Sequence, residues 1–118
     1  MRRIITGDDR YEETQQFIDE HKSEYRRVIV ISSNEFSNAD NYFDSIPVNI
    51  LEHAVKIRKL YPNEDFPFLF IFHNMMWKLN HGQQPIYEEF FQKTQWIVTS
   101  MRDSSMPSFI NKNATEKI

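Results

Sequence analysis

The chain has 118 residues, 40% of them hydrophobic and 14% aromatic, with a formal net charge of −3. That is enough chain and enough apolar side chain for one folded domain over residues 1–118, and the charge excludes a global basic field of the kind that gathers nucleic acid. The absence of cysteine excludes a disulfide framework, thiol catalysis and a cysteine zinc site, and it fits a reducing, intracellular compartment.

In chain order, Arg2-Arg3-Ile4-Ile5-Thr6 reads as a short first strand that ends at Gly7. Met1-Arg2-Arg3 leads into too few apolar residues for a signal peptide. Asp9 with Glu12 three residues later has the pattern of a capping box. It predicts a helix running to about Glu24 with Phe17 and Ile18 turned inward. Arg26-Arg27-Val28-Ile29-Val30-Ile31-Ser32 is β-branched and continuous, the signature of a second strand. It opens into Ser33–Asn41, a stretch of cap and turn residues read as loop. Pro47 suits a first helical turn, and Val48, Leu51 and Val55 recur at helical spacing up to Leu60.

Phe66-Pro-Phe-Leu-Phe-Ile-Phe-His73 is the most apolar stretch, with four phenylalanines. It lacks period-2 alternation, so it predicts a central strand buried on both faces. After His73 and Asn74, residues Met75 to Leu79 read as helical or irregular, and Asn80 to Pro85 as loop. Tyr87 to Thr94 predicts a short helix with Phe90 and Phe91 inward, and Gln95 to Ser100 a fourth strand. Met106 to Asn111 fits a helical turn, and the polar tail over 112–118 is expected to fray. No run approaches the roughly 18 apolar residues of a membrane span. Strands alternating with helices predict an α/β fold, with a small, mostly parallel sheet of about four strands flanked by helices.

Three places carry chemical potential. Gly7 to Thr14 has the length and context of a phosphate-binding P-loop: a glycine, a strand before it, a helix after it and a closing threonine. Glu12 stands where the second glycine belongs and Glu13 where the lysine belongs. Such a loop holds phosphate with backbone N–H groups, the positive helix end and that lysine. Four carboxylates (Asp8, Asp9, Glu12, Glu13) would instead repel the anion, and they also fit an ordinary acidic helix start. The central strand ends in His73 and Asn74, where a Walker B strand would end in carboxylates that hold magnesium; no metal site is predicted. His73 and His81 lie close in sequence, and neither has an acidic or cysteine neighbour to complete a metal pair.

The third place, Trp96 to Arg102 followed by Met106 to Asn113, completes a pattern. The order of motifs resembles the genome-packaging ATPases of large double-stranded DNA viruses, within the FtsK/HerA-like P-loop group. In that alignment Val28 to Ser33 is similar to the second strand and Phe68 to Asn74 to Walker B. Ile97 to Ser100 is similar to the sensor strand, with Met101 in place of the polar sensor residue. Met106 to Asn113 is similar to the final motif, with Lys112 in place of arginine. The resemblance implies a P-loop-NTPase-like scaffold that has lost hydrolysis and binds no cofactor. It implies a viral binding or regulatory protein acting through protein–protein contacts with a related ATPase or with itself. Met75, Met76 and Trp77 are candidate interface residues. DNA contacts would fall to Arg2, Arg3, Arg26, Arg27, Arg102 and Lys112, which are scattered in sequence and more commonly serve solvation. Two other readings stay open. Response-regulator receiver domains share the acidic pair Asp8 and Asp9 and a hydroxyl at Thr99 or Ser100, but His73 replaces their aspartate. A small enzyme of another class would draw on Asp8, Asp9, Ser33, His73 and Thr99.

Overall fold

The computed structural model describes residues 1–42, 52, 54–56, 58–59, 68–75, 77, 82, 84–102 and 106–118. Six strands form one sheet: β1 (Arg2–Thr6), β2 (Arg27–Ile31), β3 (Asp40–Tyr42), β4 (Phe68–His73), β5 (Gln95–Ser100) and β6 (Glu116–Lys117). The spatial order is β3-β2-β4-β5-β1-β6, and every pairing is parallel. Helices α1 (Arg10–His21), α2 (Gln84–Lys93) and α3 (Ser108–Asn113) flank it, and α1 runs on into a 3₁₀ turn at Lys22–Glu24. This is the α/β architecture that the alternating elements predict. None of the described helices is long and apolar enough to cross a membrane.

All six residues of β4 are buried, because a parallel sheet is covered on both faces. Side chains alternate across the pleat. Phe68, Phe70 and Phe72 therefore point to one face, with Ile4, Ile29, Ile31, Trp96 and Val98. Leu69 and Ile71 point to the other, with Ile5, Val28, Val30 and Ile97. The phenylalanine face receives α2 through Tyr87, Phe90 and Phe91, α3 through Phe109 and Ile110, and the helical residue Ala54. The opposite face receives α1 through Phe17 and Ile18. Phe91 is the hub of the aromatic layer. Its ring centroid lies 5.3 Å from Phe72, 5.2 Å from Phe90 and 5.5 Å from both Trp96 and Phe109. The indole N–H of Trp96 donates to the Phe91 carbonyl (2.9 Å), so the one polar atom of that side chain is satisfied.

Several local expectations change. Asp9 is the residue before α1, but no side chain caps that helix, so the capping box does not form; the Asp9 carbonyl simply accepts from the Glu13 N–H (2.9 Å). Residues 40–42, read partly as loop, add an edge strand to β2. The Asn41 amide folds back onto Phe36, accepting from its N–H (3.0 Å) and donating to its carbonyl (2.8 Å), and so closes the loop that delivers β3. The tail does not fray. Thr115 N–H donates to the Arg2 carbonyl (2.7 Å) and Ile118 N–H to the Ile4 carbonyl (2.8 Å), which seats β6 on the free edge of β1. Both added strands are short and polar, so no apolar alternation announces them. Residues 54–56, 58 and 59 are helical as the spacing predicts. The remaining residues of the stretch from Pro47 to Leu60, apart from Glu52, lie outside the described residues, as do Phe66, Met76 and His81.

Phe91→Ala should lower the unfolding free energy by about 3–5 kcal/mol, the usual cost of deleting a buried aromatic ring. Urea unfolding would show this as a lower midpoint at unchanged slope. A loss under about 1 kcal/mol would mean that the ring layer does not hold α2 to the sheet.

Candidate functional site

The connection after β1 enters α1 on one face of the sheet, while β5 leads towards α3 on the other. β1 and β5 are neighbours, paired as far as Thr6 and Ser100, so the connections that follow them part to opposite faces, which is where open parallel sheets place a ligand crevice. The residues that end β1, β4 and β5 are therefore the candidate site: Gly7, His73, Asn74, Ser100 and Met101.

Gly7 makes the first bend with φ +94°. A Cβ there would meet nothing within 4 Å, so glycine is required by the backbone angle and not by space. Only Gly7, Asp8 and Asp9 separate β1 from α1. Asp8 and Asp9 are exposed, and Glu12 and Glu13 lie exposed in the first turn of the helix. Thr14 is fully buried, and its hydroxyl donates to the Arg10 carbonyl (2.7 Å).

The side chain that organises the crevice is Arg10, which the sequence reading passed over. From the first turn of α1 its Nε donates to Asn74 Oδ1 (2.7 Å). Its Nη1 donates to the Gly7 carbonyl (2.9 Å) and contacts Met101 Sδ (2.7 Å). One guanidinium thus ties together the ends of β1, β4 and β5. All three acceptors are neutral, and no carboxylate among the described residues pairs with it. The available clue was a lone cation inside Asp8-Asp9-Arg10-Tyr11-Glu12-Glu13.

Behind Arg10 lies a directed chain of hydrogen bonds. A guanidinium only donates, so the Asn74 atom facing it is the carbonyl oxygen, and the Asn74 amide nitrogen faces His73 Nε2 (3.0 Å). That nitrogen also donates, so Nε2 must carry the lone pair. The His73 proton then sits on Nδ1 and donates to Thr99 Oγ1 (2.7 Å), a tautomer assigned from the network. Asn74 itself has φ +56°, a left-handed conformation that asparagine tolerates. Its N–H meets Thr99 Oγ1 (3.2 Å).

His73 is 3% exposed and Thr99 fully buried. Tyr11 and Phe36 stack on each other (4.5 Å) and present themselves edge-on to the imidazole at 5.8 and 5.1 Å. Burial, and secondly the Arg10 charge, push the His73 pKa down to about 4. Protonation would also set an N–H at Nε2 against the Asn74 amide. His73 is therefore a neutral, walled-in member of the core.

Of the groups an enzyme would need, His73 and Thr99 meet each other but are sealed from solvent. Asp8, Asp9 and Ser33 are exposed, and no hydrogen bond or ion pair among the described residues links their side chains to that pair. No group of three or more histidines and carboxylates among the described residues could hold a metal ion. Met75 and Trp77 pack at the margin of the aromatic core, with the Trp77 ring 5.9 Å from Phe72 and from Phe91. Ser100 is half-buried and accepts from the Arg102 N–H (3.4 Å). The basic residues near the sheet edges are engaged with protein. Arg3 pairs with Glu116 (2.6 Å) and lies over the Phe17 ring, Arg27 pairs with Asp40 (3.6 Å), and Arg2 donates to the Gln92 carbonyl. Comparison with family models, curated proteins and solved structures gives no match.

Two outcomes are expected. The stability that comes from keeping His73 neutral is complete above pH 6.5 and is lost as the pH falls towards 4, because the unfolded chain takes up the proton first. Unfolding measured between pH 7 and 4 should show a loss of up to roughly 1 kcal/mol per pH unit that His73→Phe removes. Arg10→Ala should raise the His73 pKa above its value near 4, yet leave it below 6.5 because burial persists. An NMR titration of the imidazole reads this directly, and an unchanged pKa would show that the guanidinium does not face the ring.

Proposed function

We propose that this chain is a non-catalytic binding or regulatory protein built on a P-loop-like scaffold. In this reading it is related to the genome-packaging ATPases of double-stranded DNA viruses and acts through protein–protein contacts. The observation that carries the non-catalytic part is the turn from β1 to α1. It is three residues long and leads straight into Arg10, whose side chain is folded across the crevice onto Gly7, Asn74 and Met101. A phosphate cradle needs a longer loop of backbone N–H groups around the anion, then a lysine. Here the loop is short, and four carboxylates surround its end. Two unit charges about 4 Å apart interact by about 4 kcal/mol at an effective dielectric constant near 20. A triphosphate would meet this repulsion with no lysine to offset it, and the cation at the crevice, Arg10, is already bonded to Gly7, Asn74 and Met101.

The order of the motifs supports the family part of the reading. The strand similar to the sensor strand, β5, lies between the P-loop-like β1 and the Walker-B-like β4. The three degenerate positions therefore meet at one edge of the sheet, and Arg10 touches a residue from each. A scaffold that keeps this convergence but fills it with a guanidinium bonded to neutral acceptors suits recognition better than turnover.

Calorimetry with ATP and GTP, in the presence and then the absence of magnesium, should give no binding heat at millimolar nucleotide. A dissociation constant below about 1 mM under either condition would overturn this reading. It would mean that the crevice opens and that Arg10 serves the ligand.

A further inference from the structure

The two faces of the sheet carry surfaces of opposite charge. On one side α1 shows Glu12, Glu13, Asp19 and Glu20 to solvent. Tyr11, Gln15 and Gln16 join Glu12, Asp19 and Glu20 in lining a groove along that helix. None of these carboxylates has a cation within 4.0 Å among the described residues. Asp19 and Glu20 accept only from the neutral amides of Gln15 and Gln16, and from Asn38. On the other side, Ile86 of α2 is 45% exposed, one of the few large apolar side chains left in water. It borders two adjoining depressions of about 280 and 130 Å³ between α2 and the helical residues around Val55, with Lys59 on both. Lys56 and Glu52 flank the smaller one, and Arg58 and Lys93 the larger, where Lys93 is already paired with Glu89 (3.0 Å), so the surface is mixed with an excess of cations. Lys56 and Lys59 are exposed and have no carboxylate partner among the described residues.

We propose that a second copy of this chain docks here: the Ile86 ridge of one copy, with Lys56 and Lys59, seats in the acidic groove on α1 of the next. The proposal takes the protein-contact role above one step further and rests on it. Ile86 supplies an apolar knob and the Tyr11 ring an apolar wall, while the lysines meet carboxylates that have no cationic partner among the described residues. Complementary patches fix register and speed encounter more than they add affinity. Because the two surfaces lie on opposite faces of the sheet, the contact is head-to-tail, and it grows into a ring or a chain of copies instead of closing as a two-fold pair.

Sedimentation velocity on the full chain, at concentrations up to roughly 200 µM, tests this in the micromolar range expected of a small, charge-led contact. The expected result is a sedimentation coefficient that rises with concentration at low salt. It should fall back to that of the monomer in about 1 M salt, where charges are screened beyond about 3 Å. Glu12→Lys with Glu20→Lys should abolish association, as should Lys56→Glu with Lys59→Glu. An equimolar mixture of the two double variants should restore it, because each then offers what the other lacks. Ile86→Ser, at a side chain 45% exposed, should weaken it roughly tenfold. A wild-type chain that stays monomeric throughout, or association that survives both charge reversals, overturns the proposal. The two readings fail separately. A monomer that also binds no nucleotide leaves the proposed function standing, whereas nucleotide binding by an associating chain removes that function and leaves the surface.

Discussion

Burial of β4 on both faces is the constraint from which the remaining structure follows. A strand with six buried residues needs a paired neighbour on each side and a covering layer above and below. Its phenylalanines require the larger layer, which α2 and α3 provide together through Tyr87, Phe90, Phe91, Phe109 and Ile110. Leu69 and Ile71 require less, and α1 alone supplies most of it. Helices on both faces force the connections after β1 and β5 to part, and that parting makes the crevice. The most apolar stretch of the chain thus fixes the position of the polar network at its carboxyl end.

The same burial decides the chemistry at the end of the strand. His73 follows Leu69 and Ile71 in parity, so it turns to the α1 face, beneath Tyr11 and Phe36. An imidazole there is held neutral by desolvation and by the guanidinium beyond it. Each link from Arg10 through Asn74 and His73 to Thr99 has a single arrangement of donors and acceptors that satisfies it. A buried polar network satisfied in this way rigidifies what it joins. Here it joins the first turn of α1 to the ends of β4 and β5.

The modest net charge conceals its distribution. The acidic helix α1 and the lysines beside α2, Lys56 and Lys59, lie on opposite faces, while the arginines nearest the sheet edges are spent on Glu116, Asp40 and the Gln92 carbonyl. Arg3 and Arg27 thus face the edge strands β6 and β3, and Arg2 faces α2. Among the described residues, Glu12, Asp19 and Glu20 of α1 and the two lysines Lys56 and Lys59 make no ion pair and line surface depressions, which is why the proposed interaction is placed on these surfaces.

The sequence by itself determined the fold class and the four main strands. Continuous β-branched or phenylalanine runs at 2–6, 27–31, 68–73 and 95–100 bury too much apolar surface to be anything else, and the intervening amphipathic stretches have to cover them. It also marked the ends of β1, β4 and β5 as the polar end of the sheet, because polar residues follow apolar runs there. Only the tertiary structure decided what meets at that end. The pairing of His73 with Thr99 follows from a strand register that hydrophobic pattern does not specify when both faces are apolar. The reach of Arg10 depends on a three-residue turn that brings the helix start directly over the crevice. The edge strands β3 and β6 were invisible for a related reason: they are held by backbone hydrogen bonds and a few polar side chains, and such contacts leave no periodicity in a sequence.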